Sequence, residues 1–308
     1  MSTQEGSVLR RATLKPKAQN ESAVVGLSTR ANPANGGRTS EANPQTVSGH
    51  AKEFSVQIPL EKALKNPPKP VRTSDGRFLF QKETVIGQDD RVRVLETTAW
   101  PFTVHGHMIM RFPNGQVFIG TGTLVGSHHV LTAGHCVFSA DDGGFASEII
   151  FNPAQDDTNL PFDSARAVRI LAHPRFEESE DPNFDMGMLI LDRDLGDDQR
   201  IGFFGLRAVE DGEELHMLRV NVTGYPGDKD DGQQMFTHAD VVKSVTAERF
   251  TYDIDTFGGQ SGAGVWTRFD GLGETIVGIH TTGSSSGNGA VRITPQKLQL
   301  IRSWMSQF

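Results

Sequence analysis

Three short segments of this sequence carry side chains from which nucleophilic catalysis could be assembled. GTGTLVGSHHVLTAGHCV (120–137) places His135 at a small-residue turn directly after a strand-like run. NFDMGMLIL (183–191) places Asp185 at the mouth of an apolar strand, where a carboxylate needs a partner because burying it unpaired is costly. YDIDTFGGQSGAGVW (252–266) places Ser261 in a Gly-rich turn between two strand-like runs. Taken singly, each residue reads as structural. Together they supply what a serine needs to attack a carbonyl. Serine is a weak nucleophile until a base takes its proton, and histidine is that base near neutral pH. A buried aspartate fixes the imidazole tautomer and stabilises the imidazolium. A glycine-rich turn leaves backbone N–H groups able to converge on an oxyanion.

The elements that must position these residues are short strands broken by turns. Runs at 104–110, 116–125, 129–134, 147–152, 165–173, 185–192, 216–225, 250–256, 262–268, 274–282 and 290–294 are rich in Val, Ile, Thr and Phe and are punctuated by Gly, Pro, Asn or Asp. So many strands with few helices predict an all-β barrel pair or sandwich from residue 84 onward. One helix is predicted, at the C-terminal end. Thr294 would cap it, Pro295 suits its first turn, and Leu298, Ile301, Trp304 and Met305 form an apolar face. Residues 1–83 differ in composition. The first fifty carry no aromatic residue, and KNPPKPVR (65–72) reads as an extended linker, so this part is predicted to be a largely disordered leader.

Charge follows the same division. Residues 1–83 hold 13 Lys and Arg against 7 Asp and Glu, or +6, whereas residues 84–308 hold 17 against 31, or −14. A body this acidic argues against nucleic acid as a partner. No apolar run approaches the roughly 18 residues of a membrane-spanning helix. The single cysteine, Cys136, excludes an intrachain disulfide and any structural zinc site needing two thiolates. The acidic runs EESED (177–181) and DKDD (228–231) fit no EF-hand spacing and read as solvated loops. His105, His107, His128 and His129 have no converging ligands, and no metal is assigned.

The order His135, Asp185, Ser261 is that of the chymotrypsin-type triad. The α/β-hydrolase order starts with serine, and its G-x-S-x-G motif is broken here by Ala263. TAGHC and GGQSG closely resemble the chymotrypsin-fold serine peptidases. With TVIGQDDRVRV (84–94), TGYPGDK (223–229), DTFGGQSG (255–262) and VGIHTTG (277–283), residues 84–308 resemble the glutamyl endopeptidases in particular.

That resemblance implies two antiparallel six-stranded β-barrels with the triad between them, and an oxyanion hole from the N–H groups of Gly259 and Ser261. It implies a primary pocket in which Thr256 and His280 donate to a glutamate carboxylate, with Thr84 or Val85 as the mature N-terminus close by. A serine endopeptidase acting as a monomer on proteins or peptides, without a cofactor, is expected. Export is implied as well, although residues 1–30 lack the apolar core of a signal peptide.

Two alternatives stay open. Asp255, six residues before Ser261, could select Lys or Arg, or the chain could be a proteolytically silent binding protein of the same fold. Departures from the family are a Cys136 whose usual disulfide partner is replaced by Gly120, and Gln260 where trypsin-like zymogens carry the Asp that receives the new α-ammonium.

Overall fold

The computed structural model describes Ser55–Gln57, 84–284 and 287–308, with the backbone alone described for Ser55–Gln57 and Ser284. The strands in chain order are β1 (Ser55–Gln57), β2 (Val92–Arg93), β3 (His105–Arg111), β4 (Val117–Leu124), β5 (His129–Thr132), β6 (Phe138–Ser139), β7 (Gly144–Phe145), β8 (Glu148–Pro153) and β9 (Ala165–Ala172). They continue with β10 (Gly187–Leu191), β11 (Gly205–Leu206), β12 (Arg219–Gly224), β13 (Phe236–Val245), β14 (Arg249–Tyr252), β15 (Gly264–Phe269), β16 (Gly273–Ser284) and β17 (Gly287–Arg292). The α-helices are α1 (Pro174–Ser179), α2 (Gly212–His216) and α3 (Pro295–Gln307).

The strands close into two antiparallel barrels of six, as expected. The first runs β9-β10-β5-β4-β3-β8 and closes through β8–β9. The second runs β16-β15-β12-β13-β14-β17 and closes through β16–β17. Inward positions fill the centres: Met108, Leu124, Val130, Phe151, Ile170 and Leu189 in one, Val220, Val222, Phe250, Val265 and Val277 in the other. Alternation of buried and outward residues shows along β14 and part of β9, whereas β5, β10 and β17 are buried throughout.

The C-terminal helix forms as predicted. Thr294 Oγ1 accepts from Lys297 N at 3.3 Å, Pro295 occupies the first turn, and Ile301 and Trp304 are buried. Lys297 is buried too, and its ammonium meets Glu248 Oε2 at 2.7 Å.

Strand β13 was not predicted. FTHADVVKSV reads as polar because it lies against neighbours at its edges while burying little. Only Val242 is fully inside, so the hydrophobic pattern is faint. The predicted leader, 1–83, lies outside the described residues except for β1. That strand pairs antiparallel with Arg169–Leu171 of β9, beyond the stretch where β8 and β9 meet.

Candidate active site

Both barrels contribute to one cleft of about 310 Å³. Its lining includes Met110, Phe118 and Ile119 from the first barrel, Gly259, Ser261 and Thr282 from the second, and both His135 and Asp185. His135 sits in a single 3₁₀ turn, Gly134–Cys136, that ends β5. Asp185 ends a second such turn, Pro182–Phe184, immediately before β10. Pairing of β5 with β10 brings the two turns side by side, Thr132 opposite Gly187. The carboxylate of Asp185 then accepts twice from one residue: the His135 backbone N–H at 2.8 Å and Nδ1 at 2.7 Å. This double hold fixes the ring and puts the proton on Nδ1. Nε2 is buried and has no hydrogen-bond partner among the described residues. Burial by itself would push the His135 ring down. The Asp185 carboxylate, with a smaller contribution from Cys136, outweighs it and holds the ring well above the ordinary 6.5.

The serine turn depends on two glycines. Gly259 has φ +109° and Gly262 φ +89°, and a Cβ would lie 2.4 Å from Tyr225 O at the first and 2.1 Å from Thr132 Oγ1 at the second. No other residue accommodates both conditions. Two carbonyls of the turn are hydrogen-bonded within the protein. Gly258 O accepts from Gly227 N at 2.7 Å and Gln260 O from Ala263 N at 3.0 Å. Because N–H and C=O of a trans peptide point in opposite directions, the N–H groups of Gly259 and Ser261 face the other way. Gln260 is buried, and its Oε1 accepts from Phe257 N at 3.1 Å, so it braces its own loop. Cys136 Sγ approaches Ser261 O at 3.6 Å, and a Cβ on Gly120 would lie 3.2 Å from that sulfur. Gly120 therefore occupies the place from which a disulfide partner would reach Cys136.

Near the serine, Thr256 is fully buried, and its Oγ1 has no hydrogen-bond partner among the described residues. His280, on β16, is buried and shares a 2.6 Å hydrogen bond between Nδ1 and Tyr252 Oη. Asp255 is 1% exposed, but its oxygens are spent on the backbone of the segment after residue 83: Ile86 N at 2.6 Å and Asp90 N at 2.8 Å. Thr84 is seated by Asn288, and its carbonyl also accepts from Thr256 N at 3.4 Å. Val85 is half-buried.

Sequence reasoning missed Asn288, which lies in an unremarkable GNGAVR strand. It missed Arg91 as well. That guanidinium is buried between Asp89 (2.8 Å) and Asp228 (2.6 Å), and Asp89 also takes Lys229 at 2.8 Å. Asp228 and Lys229 thus belong to a charged cluster, with Arg91 buried and Asp228 exposed, that ties 84–94 to the loop behind Gly259. The Arg91 guanidinium holds the Asp89 carboxyl well below the usual range. Arg249 reaches from β14 to Pro182 O and to Thr282 Oγ1 at 2.7 Å, bracing the turn that carries Asp185.

The sequence profile of the trypsin-like peptidase domain matches residues 120–279, more than half of the chain. The chain belongs to the trypsin-like peptidase family. It is 33% identical over 229 residues to a Bacillus subtilis protein named extracellular metalloprotease, covering 74% of this chain and 72% of that one. It is 30% identical over 243 residues to the glutamyl endopeptidase of Bacillus licheniformis, covering 77% and 73%. A solved Glu endopeptidase superposes with a TM-score of 0.63 at 25% identity, covering 72% of this chain and all of that one. This trypsin-like peptidase is a serine endopeptidase with glutamyl endopeptidase homologues, and proteins or peptides are its substrates.

The name metalloprotease belongs to that relative. Asp90, His238 and Asp255 offer ligand atoms within 4.8 Å of one another. Yet both Asp255 oxygens already accept N–H bonds, and His238 Nδ1 accepts from Asp255 N at 2.9 Å. No helix among the described residues is long and apolar enough to cross a membrane.

Proposed function

We propose that this peptidase cuts after glutamate through an acyl-enzyme, and that it is switched on by cleavage of its own Glu83–Thr84 bond. Ser261 Oγ attacks the substrate carbonyl while His135 Nε2 takes the hydroxyl proton. Asp185 holds the imidazolium through Nδ1. The oxyanion is stabilised by the N–H groups of Gly259 and Ser261. Collapse of the tetrahedral intermediate breaks the C–N bond, and His135 returns the proton to the leaving amine. Water then repeats the sequence in reverse and frees Ser261.

One observation carries the choice of glutamate: the acid six residues before Ser261, Asp255, is 1% exposed and accepts two backbone N–H groups at 2.6 and 2.8 Å. A Lys or Arg side chain would find that carboxylate buried behind the segment it anchors. What remains is the buried hydroxyl of Thr256 and the ring of His280, both capable of donating to a carboxylate. Thr84 and Val85 stand beside Thr256, so cleavage before Thr84 places an ammonium near this wall. An α-amine has a pKa of about 7.7–8.0 and is largely charged at neutral pH.

A cleavage profile on a mixed peptide library tests the specificity. Bonds following Glu dominate on this reading, whereas cleavage after Lys or Arg with none after Glu would return the choice to Asp255. Fluorophosphonate labelling of Ser261 tests the chemistry, and a native protein that fails to label is the silent binding protein instead.

A further inference from the structure

Asn288 is wholly buried on β17, and its side chain bonds both within its own barrel and to the segment that begins at Thr84. Oδ1 accepts from Thr84 N at 3.3 Å, and Nδ2 donates to Thr84 O at 2.7 Å and to Ile254 O at 2.7 Å. A single amide thus reads both polar backbone groups of one residue lying 204 positions away in sequence. The carbonyl so held is the one that meets Thr256 N at 3.4 Å. Strand register adds to this placement. Asn288 lies opposite Tyr252 on β14 and opposite Gly283 on β16, and Tyr252 holds His280.

The chemistry of this seat changes when the bond before Thr84 is cut. In the intact chain Oδ1 meets a peptide N–H. After cleavage the same nitrogen is an ammonium with three donors, and an amide oxygen binds a charged donor roughly twice as strongly as a neutral one. Nδ2 still holds the Thr84 carbonyl, so the amine cannot swing away. We propose that Asn288 is the receptor for the α-amine of Thr84, fixing where the new charge stands relative to Thr256 and His280. It is a positioning residue: it acts on a substrate carboxylate through the amine it holds. This rests on the reading that glutamate is bound with help from the new N-terminus.

The position of the seat makes the N-terminus length-sensitive. One extra residue moves the amine by about 3.5 Å along an extended chain, off Oδ1, with Asp255 still gripping Ile86 and Asp90 behind it. Two variants of the processed enzyme test this: Asn288→Ala, and a chain with one glycine inserted between Glu83 and Thr84. Each is assayed on paired peptides with Glu or Gln before the cut bond, with fluorophosphonate titration counting competent sites. The expected result for both is a KM on the Glu peptide raised tenfold or more, kcat changed less than threefold, and a Glu-over-Gln preference reduced to that of an uncut Glu83→Gln chain. Should Asn288→Ala fail to label, the insertion decides, because it leaves every core side chain in place.

Wild-type preference for Glu in either variant overturns the assignment. Failure of the underlying reading looks different: wild-type enzyme without a Glu preference, or an uncut Glu83→Gln chain that already equals the processed one.

Discussion

Two aspartates are buried near the serine, each accepting two hydrogen bonds, and they do different work. Asp185 gives both oxygens to one residue, His135, through its backbone and Nδ1. Asp255 gives its oxygens to Ile86 and Asp90, backbone groups of a segment that enters from far along the chain. The first pair sits within one barrel, where β5 and β10 are direct neighbours, so the base is oriented as soon as that barrel folds. The second couples the pocket wall to residues 84–90 and is complete only when they dock. A buried carboxylate demands donors in either place. Which donors answer decides whether it orients a base or anchors a strap, and therefore whether a defect strikes chemistry or specificity.

The largest effects should come from the chemical side. Ser261→Ala should lower turnover by about 10⁴–10⁶ with the fold intact, by analogy with triad knock-outs. Native-like circular dichroism with wild-type turnover would remove Ser261 from the mechanism. Asp185→Asn should cost about 10⁴ in kcat, because an amide cannot hold the same tautomer. A loss under tenfold would mean that the double hold on His135 is dispensable.

The pH profile separates the two halves of the same pair. His135 must be neutral to act as base, and its ring is held above 6.5 by Asp185 against the effect of burial. The acid limb of kcat/KM should therefore have its midpoint above pH 6.5. A raised folded value stabilises the protein fully below the unfolded value, and that contribution is lost as pH climbs through the folded one. Activity should thus rise over the window in which this contribution to stability falls. A midpoint below 6.5 would show that the carboxylate does not dominate.

Asp255→Ala tests the other aspartate. Two N–H groups lose their acceptor, at about 1–3 kcal/mol each if they stay buried, so denaturation should shift downward. KM on glutamyl peptides should rise while fluorophosphonate labelling persists. Loss of labelling would mean that the two regions are not separable. The smallest effect concerns neither aspartate. Gly120→Cys should form a disulfide with Cys136, since the new Cβ starts 3.2 Å from that sulfur with only the flexible tip of Met110 also close. A loop of this length contributes about 3 kcal/mol, read as a reductant-sensitive rise in melting temperature. A titratable thiol at full count would rule the bridge out.

The pairing of His135 with Asp185 and the glycine-rich turn at Ser261 were legible because their signals are local. TAGHC, the apolar run after Asp185 and GGQSG each report a turn whose glycines and neighbours are contiguous in sequence. The barrels were legible for a similar reason, since most strands are short runs rich in Val, Ile, Thr and Phe bounded by Gly, Pro, Asn or Asp. Strand β13 was not, because it buries little beyond Val242 and its pattern carries no period. The helix α1 was not either, being a single turn and a half whose last three residues belong to the acidic run at 177–181.

The residue types, their order and the two glycines around Ser261 were determined by the sequence alone, since backbone conformation near φ +90° leaves few choices. The fate of Asp255 was decided only by the tertiary structure. From the sequence it could equally have faced a cationic substrate; in the structure it meets a pair of N–H groups 169 and 165 positions away. The same holds for Asn288 and Thr84. A hydrogen bond reaches about 3 Å, and only barrel closure brings such distant residues within that range. A carboxylate or amide carries no mark in its neighbours of which distant backbone will come to meet it.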